Sequence, residues 1–303
     1  MINIIYMGTP DYASSILQKL IEDEDINVLS VYTQPDKPVG RKKVVTAPIT
    51  KVVAEENGIT VHQPLNLRST NTEEEIKALN PDYIVVAAYG QILPKNILDI
   101  APCINLHASI LPRYRGASPI QQALLNGDSE TGVTAMLMDV GLDTGDILKI
   151  SKMDIPPTMM VEELFEELTH LATDLTLDVL KNFKNYTPVK QDDEASTHCA
   201  KISKENGLVT LDDAYTLYNK YRAFTPWPGV YLESGLKLKE IVLQSTQGSY
   251  APGEILVKSK DSFLVGCKKG CIRVNQVQAP SKKQVDGASY LNGKKLKRAD
   301  ILV

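Results

Sequence analysis

No C-x-x-C pair occurs in the chain. Its four cysteines, Cys103, Cys199, Cys267 and Cys271, are scattered, and only four histidines accompany them. Neither a zinc site nor a disulfide framework is expected, and no metal is. No uninterrupted apolar run approaches the roughly 18 residues that a membrane span requires, so no membrane association is expected. The opening MINIIYMGTP has no basic region ahead of its apolar stretch and turns at Gly8-Thr9-Pro10. It reads as a first strand rather than a signal peptide, and the protein is expected in the cytoplasm. Also missing is the G-x-G-x-x-G with which a strand–helix turn brings backbone amides against a pyrophosphate. Pro10 stands in that turn and has no N–H to donate, which argues against NAD.

What remains is ordinary for a soluble globular protein: 43% of the 303 residues are hydrophobic and 23% charged. Two domains are the natural expectation at this length. Charge divides unevenly between them. From Lys204 onward there are 16 Lys and Arg against 9 Asp and Glu, a net of +7, whereas the preceding residues hold 17 against 28, a net of −11. A basic C-terminal part on an acidic body fits an anionic partner such as nucleic acid. It fits equally well a set of lysines that keep a small β domain in solution.

Short apolar runs alternate with amphipathic stretches over the first half. Ile2–Tyr6, Ile26–Thr33, Ile59–His62, Tyr83–Ala88, Ile104–Ala108 and Val133–Met138 read as strands. ASSILQKLI, APITKVVAEENG, TEEEIKAL and SPIQQALLNGD read as helices between them. This alternation predicts a mostly parallel, Rossmann-like sheet covered on both faces. Val161, Leu164, Leu168, Leu171, Leu175 and Val179 recur at helical spacing and predict one long amphipathic helix. The polar stretch 186–204 reads as a linker, which places a catalytic domain at 1–185 and a second domain at 205–303. After one helix (DDAYTLYNKYRAF), the second domain shows regularly spaced strand-like runs, the pattern of a small, OB-like β-barrel.

Three segments carry candidate chemistry. Asn105 and His107 lie two apart on a strand and therefore share a face. An amide donor beside an imidazole suits a carbonyl oxygen that gains charge, with proton transfer next to it; it suits equally a polar strand end whose side chains satisfy a loop. Asp139-Val140-Gly141-Leu142-Asp143-Thr144-Gly145-Asp146 follows an apolar strand. It can bring a carboxylate to the sheet edge where α/β enzymes bind ligands, or form a plain acidic turn; its spacing does not match an EF-hand. Thr33–Lys43 contains two prolines and a glycine and reads as a loop. Arg41, Lys42 and Lys43 give it a positive tip, suited to phosphates or simply to solvent.

Together these segments resemble the methionyl-tRNA formyltransferase family. Asn105-Leu106-His107-Ala108-Ser109-Ile110-Leu111-Pro112-Arg113-Tyr114-Arg115-Gly116 matches the block shared by enzymes that use 10-formyltetrahydrofolate, and Gly141–Asp146 matches a G-x-D-T-G-D element. MGTPDYA, TQPDKPVGR, Ala88–Pro94 and Phe224–Gly229 extend the likeness over nearly the whole chain. Glycinamide ribonucleotide and sugar-amine formyltransferases share the first block, so the block does not choose the acceptor. The QPDKPVGR loop and the basic C-terminal domain resemble the tRNA-formylating branch; a nucleotide-sugar amine is the alternative acceptor.

The resemblance implies formyl transfer from 10-formyltetrahydrofolate to methionyl initiator tRNA, with Asn105, His107 and Asp143 as the catalytic set. It places the folate near Ser109, Ile110, Leu111 and Pro112 and near Tyr89, Gly90, Gln91 and Ile92. It assigns Arg41, Lys42 and Lys43 to the acceptor end of the tRNA. A monomer is expected, since a two-domain enzyme of this size needs no partner to build its site.

Overall fold

Ile2–Gly8 (β1) is apolar along its length, and Ile4 to Met7 are fully buried in the computed structural model, which describes residues 1–40, 42–68 and 70–302. Burial on both faces of a strand requires helices on both faces of its sheet. The elements that follow supply them: α1 (Asp11–Glu22), β2 (Ile26–Tyr32), β3 (Lys37–Val39), β4 (Val44–Thr46), α2 (Ile49–Glu56), β5 (Val61–His62), α3 (Thr70–Leu79), β6 (Tyr83–Ala87), α4 (Lys95–Leu98), β7 (Cys103–His107), β8 (Arg115–Gly116), α5 (Pro119–Asn126), β9 (Glu130–Leu137), β10 (Ile147–Asp154), α6 (Val161–Asn182) and β11 (His198–Cys199).

Seven strands form one sheet in the order β10-β9-β7-β6-β1-β2-β5. From β5 to β7 every pairing is parallel; β9 runs antiparallel to both β7 and β10. This is the expected mostly parallel sheet, with an antiparallel edge. The chain leaves β1 toward β2 on one side and returns to β6 on the other. The crevice where open α/β sheets hold ligands therefore falls at the C-terminal ends of β1 and β6, where Gly8 pairs with Ala87. The long helix predicted from 161 onward is α6, with Val161, Leu164, Leu168, Ala172, Leu175 and Val179 buried along one stripe.

Besides the short β8 and β11, the helix α4 and, farther along, the strand Val285–Asp286 and the helix Gly287–Lys294, none of which the sequence reading included, the hairpin β3–β4 and the strand β10 differ from it. The stretch Thr33–Lys43, read as a loop, opens a hairpin in which β3 pairs with β4 and every residue of both strands is exposed. β10 was not expected at all; only Leu148 among its eight residues is buried. Strands that bury little leave no alternating pattern to read.

By compactness the chain falls into two units. The first is Met1–Pro119, Glu130–Asp154 and Phe165–Cys199; the second is Ile120–Ser129, Ile155–Leu164 and Ala200–Val303. The second unit adds α7 (Ala214–Phe224), β12 (Val230–Tyr231), β13 (Lys237–Ser245), β14 (Ile255–Lys258), β15 (Phe263–Gly266), β16 (Cys271–Gln278), β17 (Val285–Asp286) and α8 (Gly287–Lys294). Both helices start on an aspartate cap: Asp213 accepts from Thr216 N at 2.9 Å and Asp286 from Ser289 N at 2.8 Å. The expected small β-barrel takes the form of a six-stranded antiparallel sheet, β12-β13-β16-β15-β14 with β17 on β16. Among the described residues the ladder has no pairing between β14 and β12. Register shifts along the β13–β16 pair add twist to the sheet. No helix among the described residues is long and apolar enough to cross a membrane.

Candidate functional site

β7 ends in Asn105-Leu106-His107, with Val86 of β6 opposite Asn105 and Thr134 of β9 opposite His107. The residues after the strand fold back at once. Ser109 N donates to His107 O at 2.9 Å and Ser109 Oγ to Arg113 O at 2.6 Å. Thr134 Oγ1 donates to Ser109 O at 2.7 Å and accepts from Leu111 N at 3.1 Å. This turn carries the Tyr114 carbonyl to 2.9 Å from His107 Nε2. A carbonyl can only accept, so Nε2 carries a hydrogen there and Nδ1 is the nitrogen left for chemistry.

Nδ1 lies 3.7 Å from Asp143 Oδ2, an ion-pair separation rather than a hydrogen bond, with His107 only 7% exposed and the Asp143 side chain 10%. Asp143 comes from the 139–146 loop and adopts φ 55°, a left-handed conformation that aspartate tolerates better than most residues. Its Oδ2 accepts from Gly116 N at 2.8 Å, and its Oδ1 lies 3.4 Å from Asn105 Nδ2. Gly116 has φ 118°, and a Cβ there would sit 2.3 Å from Cys199 O, so only glycine lets this amide reach the carboxylate. Asp139 braces the start of the loop by accepting from Gly141 N at 2.9 Å and Thr144 Oγ1 at 2.6 Å.

Asn105, His107 and Asp143, separated by up to 38 positions in sequence, thus meet along the last residues of β7. An amide has two hydrogens, so Asn105 keeps one donor beyond its contact with Asp143. The grouping offers a donor, an imidazole nitrogen and a carboxylate at one place. A thiolate is not on offer beside them: burial pushes the Cys103 thiol up to about 12 and raises that of Cys199.

The other expected site residues are placed unequally. Tyr89, Ser109 and Leu111 are buried, and Tyr89 belongs to the core cluster around Met7, Val86 and Leu93. Tyr89 O accepts from Thr9 Oγ1 at 3.0 Å and Gln34 Nε2 at 3.3 Å, which ties together the loops that follow β1, β2 and β6. Gln91 Nε2 holds Pro64 O at 3.0 Å. Gly90 is exposed and a Cβ there would meet Gln34 Nε2 at 3.8 Å, Ile92 is 75% exposed, and Ile110 and Pro112 are half-buried. The accessible apolar side chains of these segments include Ile92 and Ile110, whereas those of Tyr89 and Leu111 are buried. Lys42 and Lys43 are exposed between β3 and β4; Arg41 lies outside the described residues.

Sequence reasoning assigned no role to Arg115 and did not single out Gln191. Arg115 is only 4% exposed and Gln191 only 5%. Gln191 Nε2 donates to Asp143 O at 2.9 Å and to Gly145 O at 2.7 Å. β11 pairs with β8, and Thr197 Oγ1 accepts from Tyr114 N at 2.9 Å. The polar stretch that holds these residues gave no periodic signal from which they could be found.

Comparison with known proteins bears on this arrangement. Residues 2–180 match the formyl transferase family, and residues 201–295 match the formyl transferase C-terminal domain. A methionyl-tRNA formyltransferase of Sulfurimonas denitrificans is 58% identical over 299 residues, covering 99% of each chain. One of Campylobacter jejuni is 52% identical over 305 residues, covering all of both. Among solved structures, an N-formyltransferase of Helicobacter canadensis in complex with folinic acid and dTDP-3-aminofucose superposes with a TM-score of 0.67. That likeness covers 90% of this chain and 99% of the other at 19% identity, and is one of fold.

Proposed function

The chain belongs to the formyl transferase family, and on that premise we propose that it transfers the formyl group of 10-formyltetrahydrofolate to the α-amino group of methionyl initiator tRNA. The convergence of Asn105, His107 and Asp143 carries the chemistry of this reading. Full-length identity of 52–58% to methionyl-tRNA formyltransferases supports the acceptor.

The folate supplies an activated formyl group, an amide carbon bonded to N10. The amine lone pair attacks that carbon, and the carbonyl electrons move onto oxygen. Asn105 donates its remaining amide hydrogen to this oxyanion, and protonated His107 donates from Nδ1, its Nε2–H being held by Tyr114. Asp143 orients His107 and takes a proton from the new ammonium. The carbonyl reforms as the C–N10 bond breaks, and N10 leaves with a proton. The net change is one formyl group moved one way and one proton the other, so no covalent enzyme intermediate, metal or NAD is required.

The main chain of Tyr89–Ile92 and Ser109–Pro112, with Ile92 and Ile110 beside it, suits a pterin ring, which needs hydrogen-bonding edges next to apolar surface. Arg41, Lys42 and Lys43 contact phosphates at the acceptor end of the tRNA. In this reading residues 1–185 supply the catalytic side chains, 205–303 hold the RNA, 186–204 run between them, and the enzyme works as a cytoplasmic monomer.

The test is formyl transfer from 10-formyltetrahydrofolate with methionyl initiator tRNA and a nucleotide-linked amino sugar offered in parallel. Transfer to the tRNA alone is expected. Transfer to the sugar alone would replace the acceptor while keeping the catalytic set. Asn105→Ala is expected to lower kcat about 10²–10³-fold, the usual cost of one oxyanion donor, with KM for both substrates nearly unchanged. A kcat within twofold of the parent would remove Asn105 from this role.

A further inference from the structure

Asp143 has an unusual requirement: a non-glycine residue in the left-handed region must carry its carboxylate to within reach of both Asn105 and His107. Gly116 N holds the carboxylate end. The main-chain end is held from 48 positions downstream. Each amide hydrogen of Gln191 meets one loop carbonyl, Asp143 O or Gly145 O. Gln191 Oε1 accepts two hydrogen bonds from Arg115, Nε at 3.0 Å and Nη2 at 2.8 Å. Arg115 in turn reaches Asp193 at 2.8 Å and immediately precedes Gly116.

We infer that Gln191, fixed by the Arg115 fork, is a positioning residue for the transfer reaction that sets the catalytic geometry of Asp143 through the main chain of its loop. The inference rests on the catalytic reading of Asp143 given above.

The chemistry of the position leaves little choice. Two carbonyl oxygens on one side demand a group with two N–H donors. Two guanidinium N–H groups on the other demand an acceptor. A primary amide meets both demands at once. A carboxylate at 191 would still satisfy Arg115 but would turn an oxygen toward two carbonyl oxygens. An apolar residue would leave buried donors and acceptors unpaired. The arrangement holds Asp143 at both ends with one short run of chain, because Arg115 and Gly116 are neighbours and both lie in β8.

The test is a double-mutant cycle with Asp143. Gln191→Glu is expected to keep its circular dichroism spectrum and to lower kcat about 10–100-fold, the scale of a loss from misplacement by an ångström or less. KM for the folate and for the tRNA should stay within about twofold of the parent. The pH profile of kcat should change shape, because the placement of Asp143 against His107 changes. In an Asp143→Asn background the same substitution should cost less than about twofold, since the group it positions is already disabled. An equal loss in both backgrounds, or a folded Gln191→Glu enzyme with unchanged kcat, would overturn the inference. If Gln191→Glu does not fold, Arg115→Lys, which keeps the charge but loses the fork, runs the same cycle. Full turnover by Asp143→Asn alone would instead overturn the catalytic reading.

Discussion

His107→Ala is expected to lower turnover about 10²–10⁴-fold, the usual contribution of a positioned acid–base group, while the protein stays folded. The side chain is nearly buried but fills a polar position. Its neighbours keep other partners when it is removed. Tyr114 O retains the Cys199 thiol at 3.4 Å, and Asp143 retains Gly116 N and Asn105. The stability loss should therefore be near that of one hydrogen bond, about 1 kcal/mol. Because the ring is proposed to act on the charge that develops during transfer, the effect should fall on kcat rather than on KM for either substrate. Single-turnover formylation at saturating substrates, with a thermal melt of the same preparation, separates the two effects. A folded variant that turns over within a few-fold of the parent would show that the imidazole is structural.

Gly145→Ala is expected to cost about 3 kcal/mol, the upper end of the usual range for overpacking, and to lower Tm by roughly 6–12 °C. The added Cβ would lie 1.6 Å from Leu137 O. Neither side can yield easily. Leu137 lies in β9, paired with Ile104 of β7, and its N–H is bonded to Asp146 O at 2.8 Å. Gly145 O is held by Gln191. The loop would have to move as a piece and take Asp143 with it, so activity should fall alongside stability. A melt within about 2 °C of the parent would mean that the loop is softer than its hydrogen bonds imply. Gly40→Ala is an instructive contrast: its φ is positive, at 69°, which that of Gly145 is not, but beyond its chain neighbours no atom of the described residues lies within 4 Å of the added carbon, so only local backbone strain is at stake.

What was legible in the sequence follows from how each feature is encoded. β1 and β6 are buried strands whose residues are apolar nearly throughout, and their runs stand out in the sequence; β7 shows through its buried Cys103, Ile104 and Leu106. Asn105 and His107 share a face because the period of a strand is two, a local fact that spacing alone reveals. That Asp143 joins them is not local. β9 runs antiparallel to β7 and ends with Leu137 opposite Ile104, so the loop after it must fold back for Asp143 to reach Asn105 and His107. The sequence offered only an acidic loop, and the family resemblance singled out Asp143. The hairpin β3–β4 and the edge strand β10 bury too little to leave a pattern. Gln191 was hidden for a different reason. It lies in a stretch rich in Asp, Lys and Thr, where composition says solvent; its burial arises from an arginine 76 positions earlier.

The pairing of β11 with β8 bears on how the protein can be divided. A chain cut at residue 185 would keep the whole seven-stranded sheet and all three side chains proposed as catalytic. It would lose Gln191, the Thr197 hydroxyl that caps Tyr114, and the carbonyl of Cys199 that Ala117 N holds at 3.1 Å. The severed fragment would be complete as a fold and incomplete as a scaffold for Asp143. In a chimaera that joins this body to a foreign RNA-binding module, the seam belongs after Cys199, where the last stretch of the second unit begins. The segment that tethers the two modules is, over most of its length, a piece of the first one.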